Sequence, residues 1–446
     1  MSVPRGRLPA RMAALLRCWS VSTNFSALYR QDNSTFHLIN GLRFFSFAWI
    51  LAFHTVLIFA LLFDKSHFFT LADAASPALW WIWNADKAVD LFFIVSGFLI
   101  GLILLREKEK RGDINLGRFY FRRYLRLTPI YAVIALLYWL GNGSNAHTLW
   151  ANLLYLNNFL PMDQTAMRWT WTLAVEEQFY LLLPLLLLFM GSTAASFWTW
   201  MGGLFLLSFL IRAAVIVWFP ELQLHPWRAL LEAPEISPIY YEKLYDNLAT
   251  RYGPFVLGVM TAYAYLHHRH GLNNWCLQHA TAAKLLNALA LVLFFFFLFY
   301  PLHRTDQGQS GIFLMLYMVM HHNLFALAVG WFLLRRCLSS EKPSPMVRLL
   351  TWRGWQPFSQ LTYSMYLIHL LLLGLVIRNV QANLSLYTQL SGDDLTLTIL
   401  LISYLVALLL SVIIGVLCWL LVEKPFLNLR DLLSGTSVTH ANPSLA

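Results

Sequence analysis

Apolar stretches of bilayer-crossing length recur along the chain from residue 42 to residue 421, and no other feature constrains the fold as strongly. Backbone N–H and C=O groups find no water in hydrocarbon, so such stretches fold as helices that satisfy their own hydrogen bonds, and about 20 residues cross the apolar core. On that basis the expected spans are 42–63, 87–105, 128–141, 171–190, 196–219, 248–266, 281–300, 309–334, 359–380 and 396–421. The third is short, with Tyr124 to Leu127 available to extend it. Of the 446 residues 58% are hydrophobic and 12% charged, where a soluble domain carries about a quarter charged residues. That balance argues against a string of soluble domains, and no gap between spans would hold a separate globular unit. The expected class is all-α: a polytopic membrane protein with about ten transmembrane helices. It divides into a basic tail over 1–40, one membrane domain over 41–426 and a short tail over 427–446.

Orientation follows from the cationic loops, because Lys and Arg collect on the cytoplasmic side while acids contribute little. With the N-terminus inside, the cytosolic segments hold 22 of the 32 Lys and Arg but 7 of the 22 acids. An even number of spans returns the C-terminus to the same side, so both termini are expected in the cytosol. The net charge of +10 is then mainly an inner-face property and gives no reason to invoke nucleic acid. Arg5, Arg7, Arg11, Arg17 and Arg30 precede the first span, whose approach lacks an apolar run long enough for a signal peptide; a retained tail is expected, with a transit peptide as the alternative. Cys18, Cys276, Cys337 and Cys418 show neither paired nor metal-type spacing.

The first span opens Asn40-Gly41-Leu42-Arg43 and carries His54 eleven residues later, about 16 Å along a helix and within roughly 20° of the same direction. Arg43 would lie near the inner surface and His54 near mid-membrane, where an ionisable group is costly and faces a partner or a cavity. A hydrogen-bonded packing histidine is the bland alternative. Glu176 and Glu177, adjacent in the fourth span, point about 100° apart, so they are not expected both to face lipid. Asp90 in the second span has Lys87 one turn away as a local partner, and structure is the favoured role there. Arg251 opens the sixth span, where it could hold an acceptor or anchor at the interface. His321, His322 and Asn323 read as pocket-lining or structural, and no metal site is expected. Segments 142–170 and 220–247 are rich in Trp, Tyr, Asn and acids, a mixture that suits sugars and equally suits interfacial anchoring.

Six short motifs fall in one order along the chain. They are Arg43 with His54; Val89-Asp90-Leu91-Phe92-Phe93-Ile94-Val95-Ser96-Gly97-Phe98-Leu99-Ile100; Arg122-Arg123-Tyr124-Leu125-Arg126-Leu127-Thr128-Pro129; Trp171-Thr172-Leu173-Ala174-Val175-Glu176-Glu177-Gln178-Phe179-Tyr180; Tyr363-Ser364-Met365-Tyr366-Leu367-Ile368-His369; and Val422-Glu423-Lys424-Pro425-Phe426. Singly each is weak, but in this register over residues 40–426 the chain resembles the acyltransferase 3 family of integral membrane O-acyltransferases, which includes O-antigen acetylases. The resemblance implies that His54 is catalytic and that acyl-CoA enters from the cytosol. A neutral imidazole can take a proton from an attacking alcohol and pass it to the leaving thiolate; an acyl-imidazole is the other route. The resemblance also pairs Arg123 with Arg126, and these two with Arg43 are expected to hold the phosphates of CoA. Without it, the interleaved basic and aromatic segment 118–126 would equally suit a membrane surface.

Glu176 and Glu177 join His54 as catalytic candidates, one to orient or charge-balance it, the other to bind acceptor hydroxyls or neutralise Arg251; an interhelical ion pair is the alternative. Asp90, Arg251 and His369 complete the set as substrate-binding candidates. The expected activity is transfer of an acyl group, acetyl by family frequency, from acyl-CoA to a hydroxyl of an exported or membrane-bound carbohydrate, without a tightly bound cofactor. A secondary transporter using intramembrane His, Glu and Arg is the competing reading, although the two halves show none of the symmetry transporters often carry. A non-catalytic receptor that kept the fold is a third.

Overall fold

The computed structural model describes residues 10–30, 36–63, 73–191, 193–224, 235–302, 311–338, 344–383 and 393–434. Parts of both expected tails, and of segment 220–247, lie outside them. Two short helices, α1 (Ala10–Cys18) and α2 (Val21–Tyr29), precede the long ones: α3 (His37–Phe63), α4 (Asp86–Arg111), α5 (Leu116–Leu140), α6 (Trp171–Phe189), α7 (Ala194–Trp218), α8 (Gly253–His267), α9 (Ala280–Phe299), α10 (Ile312–Leu338), α11 (Trp355–Ala382) and α12 (Asp393–Cys418). The chain ends in α13 (Lys424–Leu433), which continues α12 through one wider turn, Trp419–Glu423. Helices cover the described residues of all ten expected spans, the sixth with a break, and among the described residues there is no strand.

Eight helical stretches are long and apolar enough to cross a membrane by length and composition: those of α3, α4, α6, α7, α9, α10 and α11, and that of α12 with its continuation to Leu433. The other two differ for identifiable reasons. In α5 the expected third span and the basic segment before it form one 25-residue helix, started by the Asn115 side chain, which accepts from Arg118 N at 2.9 Å. Its first half is therefore cationic. The sixth span breaks at Tyr252, leaving α8 with 15 residues after the short turn Leu248–Arg251.

The core is organised around α4: 78% of its apolar window is buried inside the protein, against 17% for α9, which presents most of its surface outward. Helix α4 crosses α8 at close range, since a Cβ on Gly97 would run into the Phe255 carbonyl and one on Gly258 into that of Ile94. Small residues at such a crossing let backbones touch where lipid offers no hydrophobic drive. Lys108, Lys110 and Arg111 fill the last turn of α4, which stops at Gly112 in the left-handed conformation, φ 74°. Helix α3 packs on α11 and α11 on α12.

The segment expected as a tail packs against the rest. Helix α1 lies on α13 and α2 on α11. Asn428 Nδ2 donates to Cys18 O (3.1 Å) and Asn24 Oδ1 (2.9 Å), and Gln356 Nε2 donates to Arg30 O (2.7 Å).

Candidate active site

The pairing of α3 with α11 brings together two histidines 315 residues apart: His54 Nδ1 lies 2.8 Å from His369 Nε2. His369 is fully buried and its Nδ1 lies 2.5 Å from the Tyr366 carbonyl oxygen. A carbonyl only accepts, so His369 Nδ1 carries the proton; in a neutral ring its Nε2 is then a lone pair. His54 Nδ1 must donate to it, which leaves His54 Nε2 as the free lone pair, without a hydrogen-bond partner among the described residues. The Phe47 ring meets His369 edge-on at 5.9 Å and fixes its plane. His369, expected among the substrate contacts, thus sets the tautomer of His54.

A cavity with an open volume of about 1000 Å³ lies among α3, α4, α5, α6 and α11, and neither His54 nor His369 lines it. Arg43, Arg123 and Arg126 line it together with Ser96, Glu176 and Tyr180 and with Ile50, Thr172 and Tyr366. Three residues expected to hold phosphate are therefore together, contributed by α3 and α5. The Arg123 guanidinium stacks over the Phe119 and Tyr180 rings at 5.9 and 5.8 Å, which restricts its geometry. The nearest lining residues on their helices are Ile50, four residues and about 6 Å before His54 on α3, and Tyr366, three residues before His369 on α11; His54 itself is half-buried.

The two carboxylates separate as their helical positions require. Glu176 faces the cavity, where its Oε1 accepts from Ser96 Oγ at 2.5 Å and from the Tyr180 hydroxyl. Glu177 points into protein, its Oε1 buried without a partner. Neither carboxylate hydrogen-bonds His54; the orienting contact comes from His369 instead.

Asp90 and Arg251 lie elsewhere. Both are completely buried and bonded to each other, Asp90 Oδ1 to Arg251 Nη2 at 3.2 Å, and neither lines the cavity. Asp90 Oδ2 also lies 2.6 Å from His322 Nδ1. Lys87, the anticipated partner of Asp90, turns to Asp86 Oδ2 (2.6 Å) and His321 Nδ1 (2.8 Å). The Arg251 guanidinium is enclosed by the Phe93, Trp171 and Tyr245 rings at 5.3–5.7 Å. Arg212 closes the network, its Nη1 donating to Thr250 O at 2.9 Å and its Nε to Met318 O at 2.9 Å. Sequence reasoning overlooked Arg212, although a lone arginine inside span 196–219 was a signal in itself. Ligand atoms of Asp86, His321 and His322 fall within 4.8 Å of one another, but the Lys87 ammonium already bridges Asp86 and His321. With three cationic side chains around them, these donors are engaged by ammonium and guanidinium groups rather than arranged for a metal.

A family model described as an acyltransferase domain matches residues 36–420. The chain belongs to the acyltransferase 3 family. Its similar proteins include "Nose resistant to fluoxetine protein 6" of Caenorhabditis elegans, 27% identical over 410 residues, which takes in 80% of this chain and 47% of that protein. "Peptidoglycan O-acetyltransferase OatA" of Listeria monocytogenes is 33% identical over 130 residues, 24% of this chain and 20% of that protein. The chain thus spans about half, or much less, of the length of these relatives. No solved structure matches. Within the family frame, the dyad and the arginine-lined cavity fall inside the matched stretch, whereas α1, α2 and α13 fall outside it.

Proposed function

We propose that the protein transfers an acyl group, acetyl in the simplest case, from acyl-CoA to a hydroxyl of an exported or membrane-bound carbohydrate, with His54 as general base. The observation that carries this reading is the His54–His369–Tyr366 relay, which leaves Nε2 of His54 as a lone pair about 6 Å along α3 beyond Ile50, the last lining residue of an arginine-lined cavity. The donor's diphosphate binds Arg43, Arg123 and Arg126, whose guanidinium forks match phosphate oxygens. The pantetheine arm runs past Ser96 and Glu176 toward Ile50, and the thioester stops near His54. Nε2 takes the proton of the acceptor hydroxyl as its oxygen bonds to the thioester carbon. The C–S bond then breaks and the thiolate recovers that proton from the imidazolium.

The basic loops support entry of the donor from the cytosol with both termini on that side. An acceptor then arrives from the opposite face, and the acyl group is handed over within the membrane. The name of the Listeria relative supports a glycan acceptor and a cell-envelope setting, that is, a bacterial cytoplasmic membrane. The decisive assay is acceptor-dependent release of free CoA by purified protein, beside His54→Ala. Release that needs no acceptor, or a His54→Ala rate equal to wild type, overturns the proposal; a trapped acyl-protein would replace the base with a covalent carrier. Mass spectrometry of surface glycans with and without the protein identifies the acceptor through a lost acyl mass.

A further inference from the structure

We infer that α2 and α13 wall a vestibule that binds the terminal phosphomonoester of the donor, with Arg30 and Lys424 as its ligands; this rests on the acyl-CoA reading above. A second cavity adjoins the first, and Arg43, Leu99, Arg126 and Tyr363 line both, so the arginines form a neck between them. Beyond the neck the walls come from α2, α3, α11 and α13. Five cations line this outer space, Arg30, Arg43, Arg126, Lys424 and Arg430, against two carboxylates, Glu423 and Asp431.

The carboxylates are engaged. Asp431 Oδ1 lies 2.9 Å from Arg430 Nη2 and 3.4 Å from Arg122 Nη2, and Glu423 Oε2 accepts from Ser364 Oγ at 2.8 Å. Among the described residues, Arg30, Arg43, Arg126 and Lys424 make no direct ion pair; Glu423 acts on Arg43, Arg126 and Lys424 and Asp431 on Lys424 from further off, so five cations against two carboxylates leave this space with an excess of positive charge. Like charges held together repel, and a polyanion relieves that repulsion most effectively. Arg30 is held at the rim through its own carbonyl, which accepts from Gln356. A donor whose diphosphate sits at the Arg43–Arg126 neck leaves its ribose 3'-phosphate one compartment further out, where Arg30 and Lys424 line the wall. Both lie outside the stretch matched by the family model, although Lys424 belongs to the Val422–Phe426 motif noted in the sequence.

The shared chemistry is a phosphate monoester, and an anionic lipid headgroup is the other source. The test uses the full chain in phosphatidylcholine nanodiscs and compares the Kd of CoA, 3'-dephospho-CoA and pantetheine. Wild type is expected to prefer CoA over 3'-dephospho-CoA by about 10-fold, the scale of one charge-assisted phosphate contact. Arg30→Gln and Lys424→Gln remove that preference without altering dephospho-CoA affinity. Lys424→Arg keeps it, and so does Arg111→Gln, which deletes an exposed charge outside the vestibule. Equal affinity of wild type for the two nucleotides, or undiminished preference in both glutamine variants, overturns the subsite while leaving acyl transfer intact. CoA affinity that falls as phosphatidylglycerol is added, with no preference between nucleotides, assigns the charges to lipid and also overturns it. Absence of CoA binding together with absence of CoA release overturns the donor reading itself.

Discussion

Replacing His369 by leucine removes the acceptor that holds His54 Nδ1–H at 2.8 Å while keeping an apolar side chain of similar bulk in a fully buried position. A buried donor left without its partner costs about 1–3 kcal/mol. At about 1.4 kcal/mol per factor of ten, that corresponds to roughly 5- to 150-fold in the population of the productive tautomer. The expected result is a fall in kcat of about 10- to 100-fold, smaller than the roughly 10²- to 10⁴-fold loss expected for His54→Ala, since the base itself survives. KM for acyl-CoA stays close to wild type, because no donor contact is touched. His369→Gln, whose amide oxygen can accept from Nδ1–H, recovers most of the rate. Adding His369→Leu to His54→Ala costs nothing further if the two act as one unit. The assay is steady-state release of free CoA with saturating acceptor, alongside thermal melting to show that the variants fold. An unchanged kcat in folded His369→Leu, or losses that multiply in the double variant, refutes the orienting role.

Arg251→Met leaves Asp90 buried beside His322 without its guanidinium and is expected to destabilise by about 3–5 kcal/mol, read as a lower melting temperature. Arg251→Met with Asp90→Leu restores much of it, and equal melting of wild type and the single variant would argue that the pair faces substrate instead. Gly97→Leu must force α4 and α8 apart at the Phe255 carbonyl, with an expected cost of at least about 1–3 kcal/mol and loss of folded yield; a wild-type melting profile contradicts the crossing. Asp246, outside the spans, has its carboxyl pushed up to about 8 by burial and then by neighbouring Glu242. A raised folded pKa means that its stabilising contribution is complete below the unfolded value of about 4 and is lost as pH rises toward 8. Melting temperature should therefore fall between pH 5 and about 8 and level off above, while Asp246→Asn flattens the curve; an identical slope in that variant removes the assignment.

The helices behind the expected spans were legible, eight of them long and apolar enough to cross, because each apolar run must satisfy its own backbone, a constraint local to about 20 residues. The common face of Arg43 and His54, and the divergence of Glu176 from Glu177, followed from helical rotation alone. Which groups meet across helices did not. Asp90 chooses Arg251 rather than Lys87 because α4 crosses α8 closely enough at Gly97 and Gly258 to bury both charges together. The basic N-terminal segment read as a tail because nothing in its composition shows that Asn428 and Gln356 hold it. His54 and His369 become a proton-ordering pair only where α3 lies against α11. Local periodicity therefore decided the helices and the directions of their side chains, whereas the partner of each buried polar group was decided by packing, since such a group must be satisfied by whatever the assembled bundle brings within 3 Å or so.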